Sequence, residues 1–321
     1  MAEASNGRIQ TSSGAGVVPR AVMCVAMAVS GTVESASLMT HMYPRSADRC
    51  MIGRGRGSHR SVTASLTFVG TATTVLRLGP FTVLTDPNFV RRGQRVHLGY
   101  GLHARRRTDP ACTIAELPRL DAVLLSHLHG DHFDRVARRD LPREPPVLTT
   151  VQAARQLRRW GFDAAGLDTW QERELAHGEH RLRVTAVPAQ HGPVAFHRLL
   201  PPVMGTVLDL HTAGARTARI YVTGDTLNVP QLAAIRERFE GIDAMIVHLG
   251  GTRVLGVLVT LDDQQGCDLV ERISPSSVVP VHHDDYGVFH SPLSAFVSQM
   301  RRRGLGERLR IATPGDTVPL F

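Results

Sequence analysis

Residues 121–134 read DAVLLSHLHGDHFD. Ala122 to Leu125 have the continuous apolar pattern of a buried strand, and the run stops in a cluster of three histidines and two aspartates. Nothing else in the chain constrains its fold as much. Such a cluster is either a polar surface loop or half of a metal site. A half-site has to be completed by other strands that end at the same edge of the molecule.

The rest of the sequence supplies those endings. FTVLTDP stops at Asp86, VTAVPAQHG at His191, RIYVTGDT at Asp225 and SVVPVHHDD at His282. In each case an apolar run gives way to a metal-capable residue, and strands lying side by side would bring these ends together. Inside the first cluster the spacing has its own logic. Residues two apart in an extended segment point the same way, so His127 and His129 can grip one ion. Gly130 permits a tight bend without Cβ strain, after which Asp131 and His132 turn toward a second. Imidazoles and carboxylates without thiolates suit zinc, manganese or iron, and with His191, Asp225 and His282 there are enough donors for two ions with positions left open for water. Open positions belong to catalytic rather than structural sites.

The ordinary readings stay beside this one. Asp225 in TGDT could be a turn residue. His282 and His283 are adjacent, so the strand pleat should turn only one of them to the site. His248, in IVHLGG, ends a buried run and belongs near the site without being read as a ligand. His97, His103, His177, His180, His197, His211 and His290 are read as surface or satisfied polar groups.

Between the strand ends the pattern is mixed. Short β-rich runs from Ser61 are followed by strands alternating with helical segments, among them TVQAARQLRRWG closed by Gly161, VPQLAAIRERF, DDQQGCDLVERI and SPLSAFVSQMRRRG. Two sheets face to face with helices outside would accommodate both halves. Residues 1–60 differ: Gly/Ser/Arg-rich stretches surround the short apolar run AVMCVAMAVSG, and the segment is read as a disordered tail ahead of a domain at 61–321. The run is barely long enough for the core of a secretory signal and no cleavage site follows; initiation at Met51 would account for the tail equally well. The net charge is +8. All 37 basic residues are Arg, and tail and body carry +4 each, so the body is only mildly basic and no nucleic-acid partner is expected. The four cysteines form no C-x-x-C pair, which fits a reducing, cytoplasmic setting, and no apolar run approaches the roughly 20 residues that span a bilayer.

The order H-x-H-x-D-H, strand-end His, strand-end Asp, late His resembles the metallo-β-lactamase superfamily of metal-dependent hydrolases. TDPNF, CTIAELPRLDAVLLSHLHGDHFD and VHLGGTRVLG resemble, within it, the branch of N-acyl-phosphatidylethanolamine phospholipase D and the ascorbate-6-phosphate lactonases. The resemblance implies an α/β fold, an αββα sandwich of two mixed sheets with the site at one edge. It implies His127, His129 and His191 as ligands of a first ion, Asp131, His132 and His282 as ligands of a second, and Asp225 as the bridge. Asp131 and Asp225 are the expected catalytic carboxylates, and Asp86 the residue that braces the ligand loop.

Two divalent ions, zinc before manganese or iron, would hold a hydroxide between them for attack on an ester, lactone, amide or phosphodiester of a small or lipid-like molecule. No G-x-S-x-G elbow offers a serine alternative. The arginines of residues 91–110 are expected at the entrance, against a phosphate or carboxylate. The competing class is an iron-dependent redox enzyme of the persulfide dioxygenase type, which keeps the histidines. The di-iron flavoprotein oxidases typically have Glu where this chain has His129.

Overall fold

The computed structural model of the protein describes residues 64–99, 101–196 and 200–321. The tail, its apolar run and His197 lie outside the described residues. In chain order the strands begin with β1 (Ala64–Gly70), β2 (Thr73–Leu78) and β3 (Phe81–Thr85), then a small hairpin of β4 (Arg95–His97) and β5 (His103–Arg105). β6 (Ala122–Leu124), α1 (Arg135–Asp140), β7 (Val147–Thr150), α2 (Val151–Arg159) and β8 (Ala164–Leu167) follow. The second half holds β9 (Glu172–His177), β10 (His180–Val187), β11 (Gly205–Thr212), β12 (Ala215–Val222), α3 (Ala233–Arg238) and β13 (Ala244–His248). It closes with the two-residue strands β14 (Arg253–Val254) and β15 (Val257–Leu258), then α4 (Asp263–Ile273), β16 (Ser277–Val281), α5 (Leu293–Arg302) and β17 (Thr317–Pro319).

The strands form a seven-stranded sheet, β17-β1-β2-β3-β6-β7-β8, and a six-stranded sheet, β16-β13-β12-β11-β10-β9. Each is antiparallel where hairpins join its strands and parallel where helices intervene, as between β6 and β7 or β13 and β16. The alternation of side chains explains the layers. On β13, Ala244 and Ile246 face the core between the sheets, while Met245 and Val247 pack under the outer helices. Both faces are buried, so the strand reads as an unbroken apolar run. Leu66, Leu76, Leu208 and Ile220 fill the inter-sheet core; Ala154 and Leu157 of α2 cover one outer face, and Leu269, Val270 and Phe296 of α4 and α5 the other. The expected αββα sandwich is the fold.

The helices begin where capping residues stand. Thr150 Oγ1 accepts from Ala153 N at α2, and Asp262 Oδ1 from Gln265 N at α4. VPQLAAIRERF is shorter than its pattern predicts: Pro230–Leu232 is a 3₁₀ turn, and only Ala233–Arg238 is α-helical. No helix among the described residues is long and apolar enough to cross a membrane.

Candidate metal centre

Six strands deliver their C-terminal ends to one edge. Asp86 follows β3, the loop 126–134 follows β6, His191 comes four residues after β10, Asp225 three after β12, His248 ends β13, and His282 follows β16. Of the His and Asp residues at these ends, all but the loop's His129 are buried.

The side chains converge in overlapping groups whose ligand atoms lie within 4.8 Å of one another: His127, His129 and His191; His127, His132 and Asp225; Asp131, His132 and His282. His127 Nε2 is 3.0 Å from His129 Nδ1, and His132 Nε2 is 3.1 Å from His282 Nε2. Asp225 stands between the two sets, its Oδ2 at 3.4 Å from His132 Nε2 and 3.9 Å from His191 Nε2. Asp131 Oδ2 lies 3.5 Å from His282 Nε2. All seven residues expected as ligands are thus brought to one place.

Hydrogen bonds behind the rings fix which nitrogens face inward. His191 Nδ1 donates to Val259 O at 2.8 Å, His282 Nδ1 to Leu249 O at 3.1 Å, and His132 Nδ1 meets Asp86 Oδ2 at 3.2 Å. These oxygens can only accept, so each Nδ1 carries a proton and Nε2 is the nitrogen each ring turns to the cluster. His132 Nε2 and His282 Nε2 are 3.1 Å apart, a contact that needs a proton or a metal cation between the two nitrogens. Asp131 Oδ1 and Asp225 Oδ1 are buried and accept no hydrogen bond. A cation would satisfy both orphaned oxygens at once, so the donor set of five imidazoles and two carboxylates fits divalent metal.

The electrostatics agree. Burial and the neighbouring imidazoles hold His127 well below the usual histidine range, and burial first, then His191, brings His129 down to about 3. Both stay neutral and able to ligate. Burial would depress His132 too, but Asp225, Asp86 and Asp131 outweigh it and lift His132 well above that range. The aspartates therefore favour positive charge at this point, whether a proton on His132 or a bound cation. Asp225 is held well below the carboxylate range, because His282 and His132 overcome the cost of its burial.

The surroundings revise three readings. Gly130 does not have the positive φ of a forced bend; space is what it provides, because a Cβ there would lie 2.6 Å from His97 O. His282 and His283 are separated by the backbone rather than by the pleat, since β16 ends at Val281 and His282 turns left-handed at φ 59°. His283 Nδ1 then pairs with Asp284 Oδ2 at 2.9 Å. The arginines of residues 91–110 are not among the described residues that line the pocket over the metal-capable cluster, although Arg95 shares a neighbouring cavity with His129. Arg106 is buried instead, its Nη1 donating to Asn88 O, Asn88 Oδ1 and Val90 O. What this segment gives the pocket over the metal-capable cluster is Leu98, Leu102 and His103. His103, read as a surface group, carried no sequence signal for that position.

Comparison with known proteins places the fold in a family. The family model of the beta-lactamase superfamily domain matches residues 82–283. A UPF0173 metal-dependent hydrolase of Exiguobacterium sp. is 25% identical over 256 residues, covering 80% of this chain and all of that one. The structure of isothiocyanate hydrolase from Delia radicum gut bacteria superposes with a TM-score of 0.68 at 21% identity, over 79% of this chain and 98% of that one. The diiron β-hydroxylase CmlA of Streptomyces venezuelae shares the fold more distantly, with a TM-score of 0.57 at 20% identity over 82% of this chain and 55% of that one. The chain belongs to the metallo-β-lactamase superfamily and is a metal-dependent hydrolase.

Proposed function

We propose that the centre takes two divalent ions, zinc before manganese or iron, and hydrolyses an ester, lactone, amide or phosphodiester, or another small electrophile of comparable reactivity. His127, His129 and His191 would hold one ion, Asp131, His132 and His282 the other, with Asp225 shared. The observation that carries this reading is the pair of orphaned, buried carboxylate oxygens on Asp131 and Asp225 among five convergent imidazoles. When bound, two such ions supply a nucleophilic hydroxide near neutral pH and polarise the bond under attack.

The chain's own groups do the rest. Val259 O, Leu249 O and Asp86 keep the Nδ1 protons of His191, His282 and His132 and so aim each Nε2 inward. Asp86 remains a carboxylate, because His132 and His248 overcome burial and hold it at about 2. Ser126, the hydroxyl in the ligand loop, has its Oγ engaged by His127 and His132 and is not offered as a nucleophile. The buried thiol of Cys267 suits a reducing, cytoplasmic setting. The finer likeness to the phospholipase D and lactonase branch rests on its sequence motifs, and the isothiocyanate hydrolase neighbour adds isothiocyanates to the substrates worth trying.

Elemental analysis of the purified chain tests the proposal, followed by hydrolysis of acyl esters, lactones, phosphodiesters and isothiocyanates. About two ions per chain are expected, falling in Asp225→Ala. One ion per chain, unchanged in Asp225→Ala, would remove the second site. Retained iron without hydrolysis would bring the redox reading forward.

A further inference from the structure

The pocket above the cluster has a volume of about 450 Å³, near the small end of the roughly 300–1,000 Å³ usual for ligand sites. His129, Asp131, His191 and Asp225 form its floor, and Leu98, Leu102, Leu200, Val254, Leu255 and Val259 contribute to its walls. Arg253 is the only arginine among the described lining residues, and its Nη1 is turned back to Gly256 O at 3.2 Å within its own hairpin. One donor of the single lining arginine is thus engaged within the hairpin, and the leucine and valine walls are apolar.

The hairpin of β14 and β15 is built oddly for a surface turn. Val254 pairs with Val257, so Leu255 and Gly256 form a two-residue loop with φ of 50° and 82°. Asn or Asp is the usual first residue of such a loop, because a branched side chain is strained at positive φ. Here a leucine occupies it and is 95% exposed. Leu102, 49% exposed, lies on the opposing hairpin and also lines the pocket. The base of the β14–β15 hairpin is fixed to the metal centre, since Val259 O accepts from both His191 Nδ1 and Gly192 N. Strain and exposure at the tip are costs that bound substrate would offset.

The geometry points to an uncharged substrate with a short apolar chain next to the scissile bond, gripped by Leu255 and the hairpin walls. This rests on the hydrolase reading above and narrows it. Burying a methylene is worth about three- to fourfold in affinity. Alkyl hydroxamates, whose head group chelates metal, separate the two readings when bound to the metal-loaded full chain and followed by calorimetry. Octanohydroxamate is expected to bind about tenfold or more tighter than acetohydroxamate, and suberic monohydroxamate, with a carboxylate at the far end, no tighter than acetohydroxamate. Leu255→Asn, exposed and compatible with positive φ, should shrink the octano-to-aceto ratio about three- to tenfold. Equal affinity for all three hydroxamates would overturn this inference and leave the metal centre standing. Binding of none would remove both. A ratio unmoved in Leu255→Asn would overturn the hairpin's part in it.

Discussion

Asp86 Oδ2 lies 3.2 Å from His132 Nδ1 and 3.3 Å from His248 Nε2, while Asp86 Oδ1 accepts from Ser126 N at 2.7 Å. One buried carboxylate thus ties the start of the ligand loop, a ring in the centre of the cluster and the end of β13. Both of its oxygens are used, which explains why Asp86, His132 and His248 lie close together without reading as a third metal position. In Asp86→Asn an amide NH2 replaces one acceptor, so at least one of the three donors loses its partner. Affinity for the ion held with His132 should fall about 10- to 100-fold, as read by titration against a chelator, and His248→Ala should cost less. Unchanged affinity in Asp86→Asn would show that the brace does not matter.

The two late histidines, adjacent in sequence, face different surroundings. His282 reaches His132, Asp131 and Asp225, whereas His283 faces Asp284, and its ring lies 5.9 Å from that of Phe68. His282→Ala should abolish hydrolysis and lose one ion, and His283→Ala should keep both. Metal content and activity of the two single variants, measured side by side, decide it. Loss of metal from His283→Ala instead would reverse the assignment.

How much of this was legible in the sequence follows from range. Strands buried on both faces, such as AMIVH at β13, show as apolar runs, and their last residues mark the site edge. Elements without such a run left no signal: β14 and β15 are two residues each, and β17 is TVP, placed by pairing with β1 across some 250 positions. Gly130 and Arg106 were misread for the same reason. Their roles depend on the β4–β5 hairpin and on Asn88, contacts that spacing along the chain does not encode.

Residues 64–321 hold extensive core clusters and all seven candidate ligands, and residues 1–60 have a Gly/Ser/Arg-rich composition. A chain starting at Met51 should therefore fold, with a melting temperature close to the full chain's and the same metal content. Insolubility or lost metal in the shorter chain would mean that residues 1–50 contribute to the body.

Burial pushes the Cys267 thiol up to about 12. A raised folded-state value means the protonated form is favoured by folding. Its contribution is fully present below the unfolded thiol's value of about 8.5 and is lost as pH rises from there toward 12. At pH 8 the native chain should resist iodoacetamide at Cys267, with labelling appearing only on unfolding, as peptide mass spectrometry would show. Rapid labelling of the native chain would contradict this burial.

The last prediction concerns the seat of the ligand loop. Gly130 N donates to His97 O at 3.0 Å, and Asn88 Nδ2 donates to Gly130 O at 3.0 Å. A Cβ at Gly130 would sit 2.6 Å from His97 O and 2.9 Å from His97 N, both backbone atoms of β4. No flexible side-chain end can yield there, so Gly130→Ala must push the hairpin and the ligand loop apart. The cost should be about 1–3 kcal/mol of stability, typical of overpacking. The displaced loop carries His127, His129, Asp131 and His132, so metal affinity should fall with it. Because the backbone conformation itself is open to alanine, the loss would report the clash and not the φ angle. A Gly130→Ala variant with the parent's melting temperature and metal affinity would show that the loop and hairpin are not seated on one another in this way.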